Sequence, residues 1–159
     1  MKELLVYRHA KAVDAAEAAN DHERDLRPKG AKAAQAIGDI LSDRRLLPDL
    51  ILTSDATRAV RTAELCEQAF STRVDVLALA ALYDCEPRDY LELISRQPDV
   101  VTRLMVVGHN PTLEDLVAAL TGTSLRLKTG AVARIQLPIS SWKEILESAE
   151  GSLEEVIEA

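Results

Sequence analysis

Short apolar runs alternate with longer amphipathic segments along this chain, and this alternation restricts its fold more than any other feature. The runs at residues 4–7, 50–52 and 104–107 have the length of strands and are bounded by polar residues. Strands that alternate with helices form a mostly parallel sheet with helices on both of its faces. The sequence therefore predicts an α/β fold, with a single three-layer α/β/α domain over residues 1–159.

The same reasoning gives approximate bounds for the other elements. Helices are predicted from residue 28 to about 43, from 54 or 55 to about 70, from 87 through 94 and from 111 to about 120. Further strands are predicted at residues 74–77, 131–137 and 153–157. Ser54 or Asp55 should cap the second helix. The inner face of that helix is predicted to consist of Val60, Ala63, Leu65 and Ala69. Residues 13–27 are polar and are interpreted as a loop.

The composition is that of an ordinary globular protein, with 47% hydrophobic and 28% charged residues. A net charge of -7 argues against non-specific binding to nucleic acids or to anionic membranes. Cys66 and Cys85 indicate reduced thiols rather than a disulfide framework or a metal knuckle. Neither a signal peptide nor a bilayer-spanning run is evident. We therefore expect a cytoplasmic protein, with a monomer favoured.

Arginine and histidine side chains stand where several predicted strands end. Arg8 and His9 end the first strand, and His109 ends the fourth. Arg58 lies in the first turn of the helix that follows the second strand. Ligands of open α/β sheets bind beyond the carboxyl ends of the strands, so parallel neighbours would bring these four residues into one crevice. These four side chains would repel one another unless an anion lay between them. Phosphate fits, because its oxygens match the planar fork of donors that arginine offers.

The central histidine indicates catalysis as well as phosphate binding. A neutral imidazole nitrogen is a competent nucleophile, and covalent transfer divides one difficult step into two easier ones. Arginines and a second histidine can stabilise the charge that phosphoryl transfer spreads over three oxygens. The structural alternative is that the Arg8-His9 pair is a surface dipeptide and that His109 is a satisfied buried histidine.

Four sequence blocks resemble the histidine phosphatase superfamily. Residues 8–12 (Arg-His-Ala-Lys-Ala) are similar to its Arg-His-Gly signature, and alanine in the third place is common in the small SixA-type phosphohistidine phosphatases. Residues 54–63 match its Ser-x-x-x-Arg-Ala-x-x-Thr-Ala block, and residues 107–112 match its second histidine block. Residues 25–30 resemble its Leu-Thr-x-x-Gly segment, although Arg27 stands where threonine is usual. This resemblance implies a phosphoglycerate-mutase-like fold.

The resemblance also implies a role for each matching residue. His9 would accept the phosphoryl group, Arg8 and Arg58 would clamp the phosphate, and His109 would be an electrophilic partner near the transferred oxygens. No metal or organic cofactor is implied, because the arginines supply the positive charge that a metal would otherwise supply.

Other charged residues are open to both a functional and a structural interpretation. Lys11 and Arg24 could help to bind phosphate or an acidic protein surface, although charged loop residues are more often simply solvated. Arg61 is interpreted as a solvated helix residue, and His22 as an exposed loop residue.

A proton donor for the leaving group is harder to identify. In larger members of the superfamily that the chain resembles, a carboxylic acid often lies after the third strand, where this chain has Asp84 and Glu86. Either residue could instead cap the helix that begins near Pro87, and we favour this interpretation. An alkoxide needs protonation to leave, whereas the imidazole of phosphohistidine is far less basic.

The expected function is the dephosphorylation of phosphohistidine on a protein in signal transduction, such as a histidine-phosphotransfer domain or a carrier protein. The chain has no large insertion to enclose a metabolite, so a shallow site suited to a protein is expected. One alternative is a phosphatase for small phosphate esters or phosphoserine-type substrates that uses Asp84 or Glu86 as an acid. Another is a non-catalytic module that binds phosphate.

Overall fold

A six-stranded β-sheet lies at the centre of the protein. The computed structural model describes residues 1–147 and 150–159. The strands are β1 (Lys2–Arg8), β2 (Leu50–Ser54), β3 (Val76–Leu79), β4 (Arg103–Gly108), β5 (Val132–Leu137) and β6 (Ser152–Ile157). The helices are α1 (Pro28–Asp43), α2 (Thr57–Gln68), α3 (Pro87–Ser95) and α4 (Thr112–Thr121). Short 3₁₀ helices lie at Ala15–Glu17, Ala80–Leu82 and Trp142–Leu146. In the described ranges, no helix combines the length and the apolar character that crossing a membrane requires.

The strands are arranged in the order β3-β2-β4-β1-β5-β6. Neighbours among β3, β2, β4 and β1 are parallel, whereas β5 is antiparallel to both β1 and β6. The predicted α/β fold with a mostly parallel sheet is confirmed. The antiparallel edge was not predicted, because the spacing of apolar residues does not encode the direction of a strand. The three strands that carry the predicted site residues, β1, β4 and β2, are adjacent.

Successive side chains of β1 point to opposite faces of the sheet and contact separate cores. Leu4 and Val6 pack with apolar residues of α3 and α4 and with Trp142. Leu5 and Tyr7 pack with apolar residues of α1 and α2. All four β1 residues are fully buried, so the strand is held from both sides and its end is a rigid base for the residues that follow.

The start of α2 differs from its predicted position. Ser54 is the last residue of β2, and its hydroxyl accepts a hydrogen bond from the backbone N–H of Ala56 at 3.2 Å. The helix begins at Thr57 without a side-chain cap. The prediction that Ser54 or Asp55 caps α2 is therefore wrong, because the strand uses Ser54 and the cap position falls on Ala56.

The inner face of α2 is also rotated from the predicted one. Val60, Leu65 and Ala69 are only partly buried, whereas Ala63 is buried as predicted. The buried residues of the helix are Arg58, Ala59, Thr62, Ala63 and Cys66. The hydropathy pattern missed this face because two of its members are polar and turn toward the strand ends.

Strand β3 begins two residues later than predicted. The backbone N–H of Ile51 donates to the carbonyl of Asp75 at 3.0 Å, and β2 pairs with β3 from Val76 onward. The N–H of Val74 donates instead to the carboxylate of Glu67 at 3.1 Å. Pairing with β2, rather than the apolar character of residue 74, sets the start of this strand.

Candidate active site

The carboxyl ends of β1, β2 and β4 meet at one edge of the sheet. Arg8 is paired in register with Gly108, so His9 and His109 follow at the same level, with ring centroids 5.3 Å apart. A cavity of about 350 Å³ lies at this edge. It is lined by Arg8, His9, Lys11, Ala12, Arg24, Arg58, His109, Asn110 and Thr129. The four residues with predicted catalytic roles therefore share one cavity.

The ring of His9 has a hydrogen bond that fixes the position of its proton. Nδ1 lies 2.8 Å from the carbonyl oxygen of Ala10, and a carbonyl oxygen can only accept, so Nδ1 carries the hydrogen. In the neutral ring, Nε2 then keeps its lone pair and is the nitrogen available for attack on phosphorus. His9 is only 8% exposed, so the surrounding protein restrains its ring.

The backbone after β1 is tied to α2 and to the segment before β5. The N–H of Ala10 donates to the hydroxyl of Thr62 at 3.0 Å, and that hydroxyl donates to the carbonyl of Arg58 at 2.6 Å. The N–H of Gly130 donates to the carbonyls of Arg8 and His9. These bonds explain why the buried position 62 of α2 is a threonine, and they fix the spacing between His9 and Arg58.

Both histidines of the cavity are held neutral. Burial lowers the pKa of His9 to about 3, and the hydrogen bond to Ala10 opposes this shift only in part. Burial, followed by the charge of Arg58, lowers the pKa of His109 to about 4. At neutral pH, His9 is therefore an unprotonated base and His109 is a neutral imidazole.

The guanidinium of Arg8 is held by a backbone carbonyl. Its Nη1 donates to the carbonyl of Leu127 at 3.0 Å, and the same carbonyl accepts from Nδ2 of Asn110 at 2.8 Å. The N–H of Leu127 donates in turn to the carboxylate of Glu114 at 2.7 Å. The buried Nε of Arg8 has no hydrogen-bond partner within the described residues, and Arg8 is one of the residues that line the cavity.

The guanidinium of Arg58 is held by the backbone carbonyl and by the side-chain carboxylate of Asp21. Nη1 donates to the backbone carbonyl of Asp21 at 2.8 Å, and Nη2 donates to its carboxylate at 3.1 Å. Arg58 is 6% exposed, and its buried Nε also has no partner in the described part of the chain. Arg58 thus lines the cavity in a fixed orientation, as a phosphate clamp would require.

Ser54 and Tyr83 contact the ring of His109, and Tyr90 restricts the residue before it. Nε2 of His109 lies 2.8 Å from the hydroxyl of the fully buried Ser54, and Tyr83 contacts the ring edge to face at a centroid distance of 5.9 Å. The preceding residue must be glycine, because a Cβ on Gly108 would lie 1.9 Å from the hydroxyl oxygen of Tyr90. Packing of α3 against β4 therefore sets where His109 emerges.

The two basic residues of uncertain role both line the cavity. Lys11 is exposed, whereas Arg24 is half-buried. Nε of Arg24 donates to the carbonyl of Val13 at 2.8 Å, and its Nη1 donates to the carboxylate of Asp21 at 3.0 Å. The structure thus places both side chains where they can contact a bound anion.

The two candidate acids lie elsewhere. Asp84 and Glu86 are exposed, and neither belongs to the lining of the cavity. Glu86 occupies the N-cap position of α3, and its backbone N–H donates to the carboxylate of Asp89 at 2.8 Å. Glu86 thus occupies the predicted cap position, but its side chain makes no cap hydrogen bond there.

His22 is not simply exposed, which corrects the sequence-based expectation. Its Nε2 lies 2.8 Å from the carboxylate of Asp55, and its ring contacts Tyr83 at a centroid distance of 4.7 Å. Its carbonyl accepts from the N–H of Thr57 at 3.0 Å. The loop of residues 13–27 therefore folds over the start of α2, a tertiary contact that loop composition does not reveal.

The segment before α1 shows how the chain accommodates its unusual arginine. Arg27 occupies the N-cap position without a side-chain cap and pairs instead with Asp14 and Glu17, at 3.2 and 3.0 Å. Gly30 allows α1 to approach the strand-end loop, because a Cβ there would lie 2.2 Å from the carbonyl oxygen of Lys11.

Two residues of the site were not anticipated from the sequence. Asp21 accepts hydrogen bonds from Arg24, from Arg58 and from the hydroxyl of Tyr83. The spacing of Asp21 and Arg24, three residues apart with opposite charges, is the only local signal for this cluster. Asp21 and Tyr83 are 62 residues apart, and no pattern in the sequence connects them.

Positive side chains dominate the cavity. They come from Arg8, Arg24, Arg58 and Lys11. Among the described residues, no three His, Cys, Asp or Glu side chains are grouped in a way that could hold a metal ion. The arrangement can bind a tetrahedral oxyanion beside a neutral imidazole, which is the geometry that phosphoryl transfer to nitrogen needs.

Comparison with known proteins identifies the family. The profile of the histidine phosphatase superfamily (branch 1) matches residues 4–90, which include His9 and Arg58. The chain belongs to this superfamily. It is also 32% identical over 154 residues to an uncharacterized chloroplastic protein of Arabidopsis thaliana, an alignment that covers 90% of this chain and 70% of the plant protein.

Two solved structures illustrate the fold that this chain shares with other proteins. A structure from Agrobacterium tumefaciens, assigned as a phosphohistidine phosphatase SixA, is 30% identical with a TM-score of 0.85 and covers 99% of this chain and 98% of that one. The α-ribazole phosphatase of Shigella flexneri is 17% identical with a TM-score of 0.70, covers 99% and 96% of the two chains, and shows the fold alone. The predicted phosphoglycerate-mutase-like fold and SixA-type resemblance are confirmed. Family membership supports a phosphatase activity.

Proposed function

We propose that this chain removes phosphate from phosphohistidine on a protein, through a phosphoryl group held transiently on His9. One observation carries the proposal. The proton of His9 is committed to the carbonyl of Ala10, which leaves a nucleophilic nitrogen in a cavity with two restrained arginines and a second neutral histidine. The likeness to a protein assigned as a phosphohistidine phosphatase supports the choice of substrate.

In the first step, Nε2 of His9 attacks phosphorus and the P–N bond of the substrate breaks. Arg8 and Arg58, which both line the cavity, hold the phosphate oxygens with their guanidinium groups. His109 stands across the cavity from His9 and stabilises the developing charge. The electron pair of the broken P–N bond stays on the imidazole of the substrate, which takes a proton from solvent water and departs.

In the second step, water attacks the phosphorus of phospho-His9 and the new P–N bond breaks. Inorganic phosphate leaves, and the imidazole of His9 returns to its neutral form. The hydrogen bond from Nδ1 to Ala10 keeps the ring in one orientation through both steps. The same arginines stabilise the second transition state, because it has the same charge distribution as the first.

The lining of the cavity favours a substrate with an easily displaced leaving group. Those of its residues that the structure describes include no carboxylic acid, and Asp84 and Glu86 lie outside it. A serine or sugar alkoxide would need a proton donor, whereas an imidazole needs one much less. A histidine-phosphotransfer domain or a phosphorylated carrier protein therefore fits better than a small phosphate ester.

A trapping experiment tests the intermediate. The protein is incubated with radiolabelled phosphoramidate and quenched in alkali, and the label is mapped by peptide. We expect acid-labile phosphate on residue 9. The His9→Ala variant should trap none, and His22→Ala, which removes a histidine outside the cavity lining, should trap as much as the parent. Normal turnover by His9→Ala would overturn the nucleophile assignment.

A turnover panel tests the substrate class. It compares a phosphorylated histidine-phosphotransfer domain, a phosphohistidine carrier protein and a small phosphate ester at equal concentrations. We expect kcat/KM to be highest for one of the two proteins. Preference for the ester, with phospho-His9 still trapped, would retain the mechanism and reject the protein substrate. Phosphate binding without turnover of any substrate would favour a binding module.

A further inference from the structure

The exposed carboxylate of Asp21 lies outside the cavity lining and contacts two of the arginines that line it. Oδ1 accepts from Nη1 of Arg24 at 3.0 Å, and Oδ2 accepts from Nη2 of Arg58 at 3.1 Å. The backbone carbonyl of Asp21 accepts from Nη1 of Arg58 at 2.8 Å. Asp21 itself does not line the cavity, so it reaches a bound phosphate only through these arginines.

The third donor to this carboxylate comes from the segment that precedes α3. The hydroxyl of Tyr83 donates to Oδ2 of Asp21 at 2.6 Å, the shortest of the three side-chain contacts to this carboxylate. The ring of Tyr83 also contacts His109 and His22 through its edge or face, at 5.9 and 4.7 Å. Tyr83 is therefore placed between the loop that carries Asp21 and the second histidine of the site.

We propose that Asp21 and Tyr83 are positioning residues: Tyr83 fixes the Asp21 carboxylate, and Asp21 aligns Arg24 and Arg58 with the phosphoryl group. A guanidinium has five N–H donors, and Asp21 engages two of those on Arg58 through two different acceptor atoms. Two contacts prevent rotation of the planar group, so the remaining donors keep one direction. The inference rests on the proposed function only in requiring that an oxyanion bind in the cavity.

The protonation states of the pair suit this role. The hydrogen bond from Tyr83, followed by that from Arg24, holds the pKa of the Asp21 carboxyl well below its usual range. The bond to Asp21 raises the pKa of the Tyr83 phenol. Near neutral pH the pair therefore remains a carboxylate that accepts and a phenol that donates, and neither supplies a proton to the reaction.

Two substitutions test the hydroxyl of Tyr83 and the negative charge of Asp21 separately. Tyr83→Phe keeps the ring packed on His109 and removes only the bond to Asp21. Asp21→Asn keeps the size of the side chain, but its amide NH₂ must then face a donor. Losing a charge-assisted hydrogen bond should weaken the binding of inorganic vanadate or phosphate about tenfold in either variant. Asp55→Asn is the matched control, because it replaces a carboxylate that contacts His22 of the same loop and contacts neither arginine.

The experiment measures vanadate affinity by calorimetry, kcat and KM for phosphoramidate, and Tm for each variant and for the Tyr83→Phe/Asp21→Asn double variant. We expect both single variants to bind vanadate more weakly at little cost in Tm. The double variant should be no worse than Asp21→Asn, since Tyr83 acts through Asp21. Asp55→Asn should lower Tm and leave vanadate affinity unchanged.

The outcomes distinguish this inference from the proposed function. If the parent protein binds vanadate and both single variants bind it equally well, the positioning roles are wrong and the phosphatase assignment stands. If the effects of the two substitutions are additive, Tyr83 does not act through Asp21. If the parent protein binds no oxyanion, both proposals fail. Should Asp21→Asn not fold, Tyr83→Phe alone decides the matter.

Discussion

The hydroxyl oxygen of Ser54 lies 2.8 Å from Nε2 of His109, and both belong to strand ends that meet at the cavity. Ser54 already accepts the N–H of Ala56, and its side chain is fully buried. The hydroxyl therefore restrains the ring of His109 from the side of β2, although 55 residues separate the two in the chain.

Ser54→Ala should lower kcat/KM for phosphoramidate about tenfold, because it leaves a buried imidazole nitrogen without its partner. Thr53→Val is the matched control. Its hydroxyl is also buried but donates to the carbonyl of Ser54 rather than to a histidine. Steady-state kinetics of both variants are compared with their Tm values. A Ser54→Ala enzyme with the parent kcat/KM would show that His109 needs no such restraint.

The pH dependence of kcat/KM should show a nucleophile that stays neutral in mild acid. Burial lowers the pKa of His9 to about 3 from an ordinary value of 6.5. We therefore expect no loss of kcat/KM from protonation of His9 between pH 7 and about pH 5, where an exposed histidine would protonate. A fall in kcat/KM with a midpoint near 6.5 that is not caused by titration of the substrate would mean that the ring of His9 is not desolvated.

The same shift predicts how acid affects stability. The folded pKa of His9 lies below the unfolded one, so its contribution to the free energy of unfolding is complete above pH 6.5. The contribution is lost as the pH falls from 6.5 toward about 3, because the unfolded state takes up the proton first. Urea denaturation across this range should show a shallower acid dependence for His9→Asn than for the parent. Identical slopes would contradict the assigned shift.

Gly108→Ala should destabilise the protein by about 1–3 kcal/mol, the usual cost of forcing extra volume into a packed region. The new Cβ would lie 1.9 Å from the hydroxyl oxygen of Tyr90, a buried atom without a partner among the described residues. Tyr90→Phe removes that oxygen. The Gly108→Ala/Tyr90→Phe double variant should therefore recover part of the free energy of unfolding that Gly108→Ala loses. Urea denaturation of the two single variants and the double variant measures this. No recovery would mean that the strain lies elsewhere.

Asp84→Asn/Glu86→Gln should leave kcat/KM within about twofold of the parent value for both phosphoramidate and a phosphate ester, because a general acid must reach the leaving atom. Both side chains are exposed and outside the cavity lining. Arg58→Lys provides the positive control, since it loses the planar fork and should impair both substrates. A selective loss of ester hydrolysis in the double variant would restore the acid-dependent alternative.

The sequence predicted those features that depend on local patterns. Strands that end in Arg8 and Gly108 were visible as apolar runs, and the rule that ligands bind at strand ends placed His9 and His109 together. The Asp21–Tyr83 contact was not predictable, because both residues lie in connecting segments whose path is set by tertiary packing. Hydropathy also did not predict that Arg58 and Thr62 are buried. Contacts within the candidate site, rather than packing of the apolar core, determine which residues occupy these two positions.

The loop of residues 13–27 has a consequence for any attempt to redesign this enzyme. One of its side chains, Arg24, lines the cavity, while another, Asp21, accepts a hydrogen bond from Arg58. Exchanging the loop to admit a different molecule would therefore also disturb the group that grips the phosphate. If Asp21 positions Arg58 as proposed, substrate selectivity and catalysis are coupled through this one segment, and a transplanted loop needs an acidic residue at the position of Asp21.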